Sequence, residues 1–298
     1  MPHAPIASDR LRARDNGPWG REKLQFLDAF GPPALRATSR KLERWHIDLF
    51  AGPGMNVERG TGDEFRGSPI RVLHMTADGR RDIHFTHAVF VNADRRDHAA
   101  LRERVDRSYA AGGCAIAQEH VRVMRADANE ALPSIMAAVH PDAYAFVFAD
   151  LEAPRQWPWQ SVRELRTRGH RSVDLYMLFP LDMAIVRLCA YNRARREKYA
   201  NILSEFFGTD DWRQFADARL TDTRSSRLRQ ELTDLYIAQL KTIWKHAGVV
   251  KDVYRTGRHA LYRMLFASDD PGAQRIASWA RRQGGREQQL DQQFGLEL

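Results

Sequence analysis

The stretch Trp45-His46-Ile47-Asp48-Leu49-Phe50-Ala51-Gly52-Pro53-Gly54 sets the terms for the rest of the chain. A short apolar strand with one acid near its end breaks into a loop of two glycines and a proline. A buried strand feeding a Gly-x-Gly turn is how a doubly wound α/β sheet presents main chain to a cofactor. Glycines let the backbone approach the ligand with no Cβ in the way. The acid accepts a hydrogen bond from a ligand amine or hydroxyl. Two glycines are fewer than the three of a dinucleotide fingerprint, so the meaning of the turn rests on the strands and helices around it.

On both sides of the turn the chain alternates between helical and strand patterns. Residues 1–18 are polar, with Pro2, Pro5 and Pro18, and read as a loose tail. Leu24, Leu27 and Phe30 recur at helical spacing, and Gly31-Pro32-Pro33 is expected to end that helix. A polar insertion, Met55 to Gly67, separates the glycine loop from a helix that Ser68-Pro69 starts. Further strands are expected at 85–91, 120–124, 144–149 and 173–179, with helices at 95–110 and 130–139 between them. Tyr144 to Ala149 is a continuous apolar run, as in a strand buried on both faces. Val249–Arg255 and His259–Ala267 are joined only by Thr256-Gly257 and nearby residues, and so short a connection makes an antiparallel hairpin. Five strands alternating with helices imply a parallel sheet with right-handed crossovers, to which the hairpin adds two. This predicts an α/β fold with the Rossmann-like sheet of a class I methyltransferase plus helical additions. Residues 1–40 are read as tail and helix, and 41–298 as one domain with a helical insertion at about 181–247.

In such a sheet, ligand groups come from the carboxyl ends of the first strands. Polar residues fall at consecutive strand ends: Asp48 with Gly52 and Gly54, then Asn92 and Asp94, then Asp127, then Asp150. S-adenosylmethionine offers matching partners: a cationic sulfonium and amine, a ribose diol, and an adenine amine. Carboxylates suit these because they accept hydrogen bonds and carry charge. Phe50, Ala51, Gly52, Pro53 and Gly54 form the loop that would cradle it. Any one strand-end acid is as well explained as a helix N-cap, and Asp94 can simply cap the helix at 95–110. Asp150 stands nearest the methyl group in this reading, where it orients an amine or acts as a base; Glu152 is a second catalytic candidate.

The chain also resembles the three-Cys-motif partner proteins over nearly its whole length. The residues that carry this are Pro18-Trp19 with Lys23, Ile47 to Gly54, Gly60-Thr61-Gly62 with Gly67-Ser68-Pro69, and Phe90-Val91-Asn92-Ala93-Asp94. Phe146 to Asp150, Phe207-Gly208 with Trp212, and Leu261 to Ser268 complete it. The resemblance implies a class I methyltransferase fold and a partner that is a radical-S-adenosylmethionine-like protein with three cysteines. It adds Lys23 to the catalytic candidates. The chain departs from the family at Asn92, where Asp is usual, and at Leu151-Glu152, where Pro and then Pro, Tyr or Gly are usual.

Composition bounds the partners. Net charge is +8, which favours nucleic acid or other acidic partners through a basic surface, although an Arg-rich composition has blander causes. No apolar run approaches the ~20 residues of a membrane span. The N-terminal residues lack the apolar core of a secretory signal, and Cys114 and Cys189 lie far apart, so a reducing cytoplasm is expected. His84 and His87, three apart on a strand, would face opposite sides and make no metal pair. Trp157 and Trp159 suit lid packing or base stacking. Arg193, Arg195, Arg196 and Lys198 suit a solvated face or phosphate contacts. Three functions fit: a methyltransferase acting on nucleic acid, a non-catalytic binding partner that keeps the fold, and a small-molecule methyltransferase.

Overall fold

The structure, a computed structural model, describes residues 4–17, 19–166, 169–189, 196–218, 226–254 and 260–283. Pro18, Arg193, Arg195, Thr256-Gly257 and the Gln-rich end lie outside the described residues. In chain order the elements are β1 (Arg14–Asn16), α1 (Trp19–Ala37), β2 (Arg44–Asp48), β3 (Met55–Glu58), β4 (Glu64–Arg66) and α2 (Ser68–Leu73). Next come β5 (Thr76–Ala77), β6 (Arg80–His84), β7 (His87–Asn92), α3 (Arg95–Ala111), β8 (Val121–Arg125), α4 (Ala128–Ala138) and β9 (Tyr144–Ala149). Then come α5 (Trp159–Glu164), β10 (Ser172–Phe179), helices at Val186–Cys189, Ala200–Phe207, Trp212–Asp217 and Ser226–Leu240, then β11 (His246–Tyr254), β12 (Ala260–Ser268) and a helix at Pro271–Ala280.

The main sheet has seven strands in the order β11-β12-β10-β9-β2-β7-β8. β2 lies between β9 and β7, parallel to both, with Asp48 opposite Phe148 on one side and Phe90 on the other. From β2 the chain builds outward first to β7 and β8, then to β9 and β10 on the other side. The order therefore reverses at β2, and such a switch point opens a crevice at the carboxyl ends of the strands. The C-terminal pair is the expected antiparallel hairpin, and β12 inserts antiparallel beside β10.

Side chains alternate between two cores, one on each face of the sheet. Ala145, Val147, Leu175, Met177 and Leu265 point to one; Phe146, Phe148, Tyr176, Met264 and Phe266 point to the other. This is why β9 reads as an unbroken apolar run. The segment between β10 and β11 supplies helices to the first face, with Phe206, Phe207, Trp212 and Tyr236 in its core. α1 covers the second face, where Phe26 stacks on Tyr176 at 4.2 Å and Phe30 on Phe146 at 5.2 Å.

Two expectations at the N-terminal end are corrected. α1 does not stop at Gly31 but runs through Pro32 and Pro33 to Ala37. Ala34 and Leu35 are buried beyond the prolines, so packing outweighs the lost helix hydrogen bonds. The loose tail is not loose. β1 pairs in parallel with β3, the Ala13 N–H donates to the Pro5 carbonyl at 2.8 Å, and Ala7, Ala13 and Met55 form a small core of their own. Residues 4–16 thus form a strap across the crevice.

Candidate functional site

The glycine loop is built as expected, though its helix arrives by a detour. Gly52 and Gly54 take φ values of 62° and 83°, in the left-handed region where a side chain is strained. β3 and β4 pair as a hairpin, which brings Gly67 back so that its N–H donates to the Gly54 carbonyl at 2.9 Å. The insertion therefore returns the start of α2 to the glycine loop instead of separating the two. Asp48 locks the join. Its carboxylate accepts from the Ser68 hydroxyl at 2.5 Å and from the Phe50 N–H at 3.2 Å. Burial pushes this carboxyl up to about 7, against the pull of the Ser68 and Phe50 hydrogen bonds.

A cavity of about 500 Å3 opens at the carboxyl ends of β2, β7, β8 and β9. Phe50, Gly52, Asn92, Asp94, Asp127, Asp150 and Glu152 all line it. Ala51, Pro53, Gly54 and Lys23 line a smaller adjoining recess that Gly52 and Asp150 share. Asp48 lines neither and is fully buried beneath the loop, so it braces the loop from behind.

Several acids also cap helices. Asp94 accepts from the N–H groups of Arg96 and Asp97, at 2.8 and 2.9 Å, and those bonds hold it below the usual carboxylate range. Asp127 accepts from the Asn129 N–H at 2.8 Å. Capping and facing the cavity are compatible, because a carboxylate has lone pairs to spare. Asn92 is explained by its donor: Nδ2 gives a hydrogen bond to the Gly52 carbonyl at 2.9 Å, which the carboxylate of an Asp could not do.

The strap supplies residues that sequence reasoning missed. Arg14 reaches Asp150 at 3.3 Å and pairs with Glu152; Arg12 lies 2.8 Å from Asp97 and 3.9 Å from Asp94. Arg104, on α3, clasps the strap to the glycine loop. It donates to Asp9 at 2.6 and 2.9 Å, to the carbonyls of Leu11 at 3.3 Å and Arg12 at 2.7 Å, and to the Pro53 carbonyl at 2.6 Å. Alternation did not mark the strap, because regular strand begins only at Arg14 and Arg10 takes a φ of 65°.

Asp150 is buried and also pairs with Lys23 from α1. Burial opposes its charge, yet Lys23 and Arg14 outweigh it and hold the carboxyl below its usual range. Burial also lowers Lys23, with Asp150 pulling the other way. Asp150 is therefore an ionised acceptor held between two cations. Leu151 is buried in the core, and the Glu152 side chain is 61% exposed as it turns toward Arg14.

Other residues singled out in the sequence take structural places. Trp157 is fully buried and packs edge-on against Phe50, and Trp159 packs on Tyr236, so packing accounts for both. His84 ends β6 and His87 begins β7, on different strands. Among the described residues no cluster of three or more His, Cys, Asp or Glu suits a metal ion. Arg196 is buried against Asp217, not on a solvated face. Among the described residues no helix is long and apolar enough to cross a membrane.

No protein-family profile and no curated protein matches the sequence. Among solved structures the chain is similar to a conserved hypothetical protein of Streptococcus pyogenes, at 16% identity and a TM-score of 0.30, over 49% of this chain and 74% of that one. It is similar to a Legionella pneumophila protein at 9% identity and a TM-score of 0.47, over 89% and 90% of the two chains. It is also similar to magnesium protoporphyrin IX methyltransferase from Synechocystis PCC 6803, solved with bound S-adenosylmethionine, at 10% identity and a TM-score of 0.35, over 84% and 80%. These likenesses are too distant to transfer any residue's role. The fold itself is mixed α/β, a seven-stranded sheet with helices on both faces, consistent with a Rossmann-like methyltransferase fold.

Proposed function

We propose that this chain binds S-adenosylmethionine in the crevice and transfers its methyl group to an acceptor held beside Asp150. One observation carries the reading: the glycine turn after β2 and the polar ends of β7, β8 and β9 line a single cavity of about 500 Å3 where the strand order reverses. That volume lies within the usual range for small-ligand sites. The residues present fit the group. Asp94 and Asp127 offer carboxylate oxygens to hydroxyls and amines, and Gly52 leaves its main chain bare to the cavity. The cofactor, when bound, supplies an electrophilic methyl on a sulfonium.

The chain's own part is to bind and position. Asn92 holds the glycine turn through the Gly52 carbonyl. Asp150 accepts from an acceptor's N–H or O–H and aligns its lone pair, and such positioning accounts for much of a displacement's rate. Because Lys23 and Arg14 keep Asp150 ionised, it is a better hydrogen-bond acceptor than proton acceptor. The net charge of +8 supports a nucleic acid as the acceptor. Of the residues that resemble the three-Cys-motif partner proteins, Phe50, Gly52, Asn92, Asp94 and Asp150 line this cavity, which supports one ligand there, whereas Phe207, Trp212, Met264 and Phe266 pack in the cores. A second reading, a binding partner without catalysis, is favoured by the pairing of Asp150 with Lys23 and Arg14.

The experiment is transfer of a labelled methyl group from the cofactor to DNA or RNA, with wild type and Asp150→Ala. The expected result is transfer by wild type that falls at least tenfold in the variant, with cofactor affinity kept. Transfer unaltered in Asp150→Ala removes that residue from catalysis. Absence of transfer by a wild type that still binds cofactor favours the second reading.

A further inference from the structure

We infer that Arg14 sets how the crevice discriminates a sulfonium ligand from its neutral thioether counterpart, an inference that rests on the cofactor reading above. The guanidinium occupies the gap between the glycine turn and the acid at the end of β9. It lies 3.3 Å from Asp150, pairs with Glu152 and lines both the main cavity and the adjoining recess. A Cβ added at Gly52 would stand only 3.7 Å from Arg14 Nη1. A ligand that runs along Gly52 and turns its reacting end toward Asp150 therefore meets this cation.

Arg14 is not free to withdraw. Its strand β1 pairs with β3, and the strap beside it is clasped by Arg104 through Asp9 and the carbonyls of Leu11 and Arg12. Acids outnumber cations around it, since Asp94, Asp97, Asp127, Asp150 and Glu152 line the cavity against Arg12 and Arg14. Asp150 faces Lys23 as well as Arg14, while Arg12 faces Asp94 and Asp97. A neutral thioether is indifferent to this field, whereas a sulfonium is drawn to the acids. The guanidinium offsets part of that attraction, because a sulfonium beside it is a like charge. The consequence is that Arg14 weakens the crevice's preference for the methyl donor over its demethylated product.

The test is calorimetric titration of wild type, Arg14→Gln and Arg14→Lys with S-adenosylmethionine and with S-adenosylhomocysteine. The readout is the ratio of the two dissociation constants, because loosening the strap alters both affinities together and cancels. In Arg14→Gln the loss of the cation and the release of Glu152 act in the same direction. The ratio of donor to product dissociation constants is expected to fall about tenfold. Arg14→Lys keeps the charge and is expected to keep the wild-type ratio within about twofold. Glu152→Gln, at an exposed side chain that folding tolerates, is expected to raise the ratio about threefold and covers the case in which Arg14→Gln does not fold. An unchanged ratio in a folded Arg14→Gln that binds both ligands, or a lowered or unchanged ratio in Glu152→Gln, overturns the role of Arg14 and leaves the cofactor reading standing. A wild type that binds neither ligand overturns both.

Discussion

Arg104→Ala tests whether the strap and the glycine loop are held as one unit. The Arg104 side chain is 4% exposed and donates to one carboxylate and three main-chain carbonyls, on two segments far apart in sequence. Removing one partner of a buried ion pair costs about 3–5 kcal/mol. Asp9 keeps some access to water, its side chain being 15% exposed, so the lower end of that range applies. About 3 kcal/mol corresponds to a factor of roughly 100 in an equilibrium constant. Most of that loss falls on local opening of residues 4–13, because β1 and Arg14 still tie the far end of the strap to the rest. Hydrogen exchange of amides in residues 7–13 is expected to accelerate roughly 100-fold in Arg104→Ala, with exchange in β9 and β10 nearly unchanged. Trypsin is expected to cut more readily after Arg10 and Arg12. Wild-type exchange rates across residues 7–13 in a folded variant would refute the clasp.

Buried polar groups give three further expected outcomes. In Asn92→Asp a carboxylate oxygen replaces the amide that donates to the Gly52 carbonyl, costing about 1–3 kcal/mol; the melting temperature should drop by a few degrees at neutral pH, and an unchanged value contradicts the role given to Asn92. Asp48 has its folded pKa raised to about 7, so the stability it adds is present at low pH and lost as pH rises through 7, by at most about 1.4 kcal/mol per pH unit. Asp48→Asn should therefore gain on wild type as pH rises from about 4 to about 7 in denaturant titrations, whereas parallel pH curves would show that the buried carboxyl does not carry this linkage. His46 is fully buried among Phe85, Phe90 and Phe146 with neither ring nitrogen hydrogen-bonded, and burial pushes it down to about 3. The unfolded chain takes up a proton below about pH 6.5 that the folded chain refuses. His46→Leu should raise the melting temperature, most of all near pH 5, and a loss there would show that the imidazole is satisfied after all.

The sheet was legible because its code is simple. An unbroken apolar run marked β9, a two-faced position that alternation alone would have missed. The brevity of the Thr256-Gly257 connection fixed the antiparallel sense of the C-terminal pair, though not that β12 would lie inside β11. At the site, the strand-end acids and the glycine turn were found by position in the chain. Their orientation was not: Asp48 looked like a ligand group and is a brace, because only the return of Gly67-Ser68 shows where its oxygens go. The strap was misread for a related reason. Prolines and charges at a chain end resemble a tail, and the partners that order Arg12 and Arg14 lie 80 or more residues away. Asn92 looked like a missing charge until the Gly52 carbonyl supplied its acceptor.

Calorimetric titration with S-adenosylmethionine tests the central claim most directly, with Gly52→Val as its control. Gly52 has a φ of 62° and faces the cavity, so a branched side chain there both strains the turn and fills the ligand's path. Saturable binding to wild type with a dissociation constant below the millimolar range, lost in a folded Gly52→Val, is the result predicted. Flat heats for wild type at millimolar cofactor, or equal affinity in the variant, would contradict a cofactor site at the glycine turn.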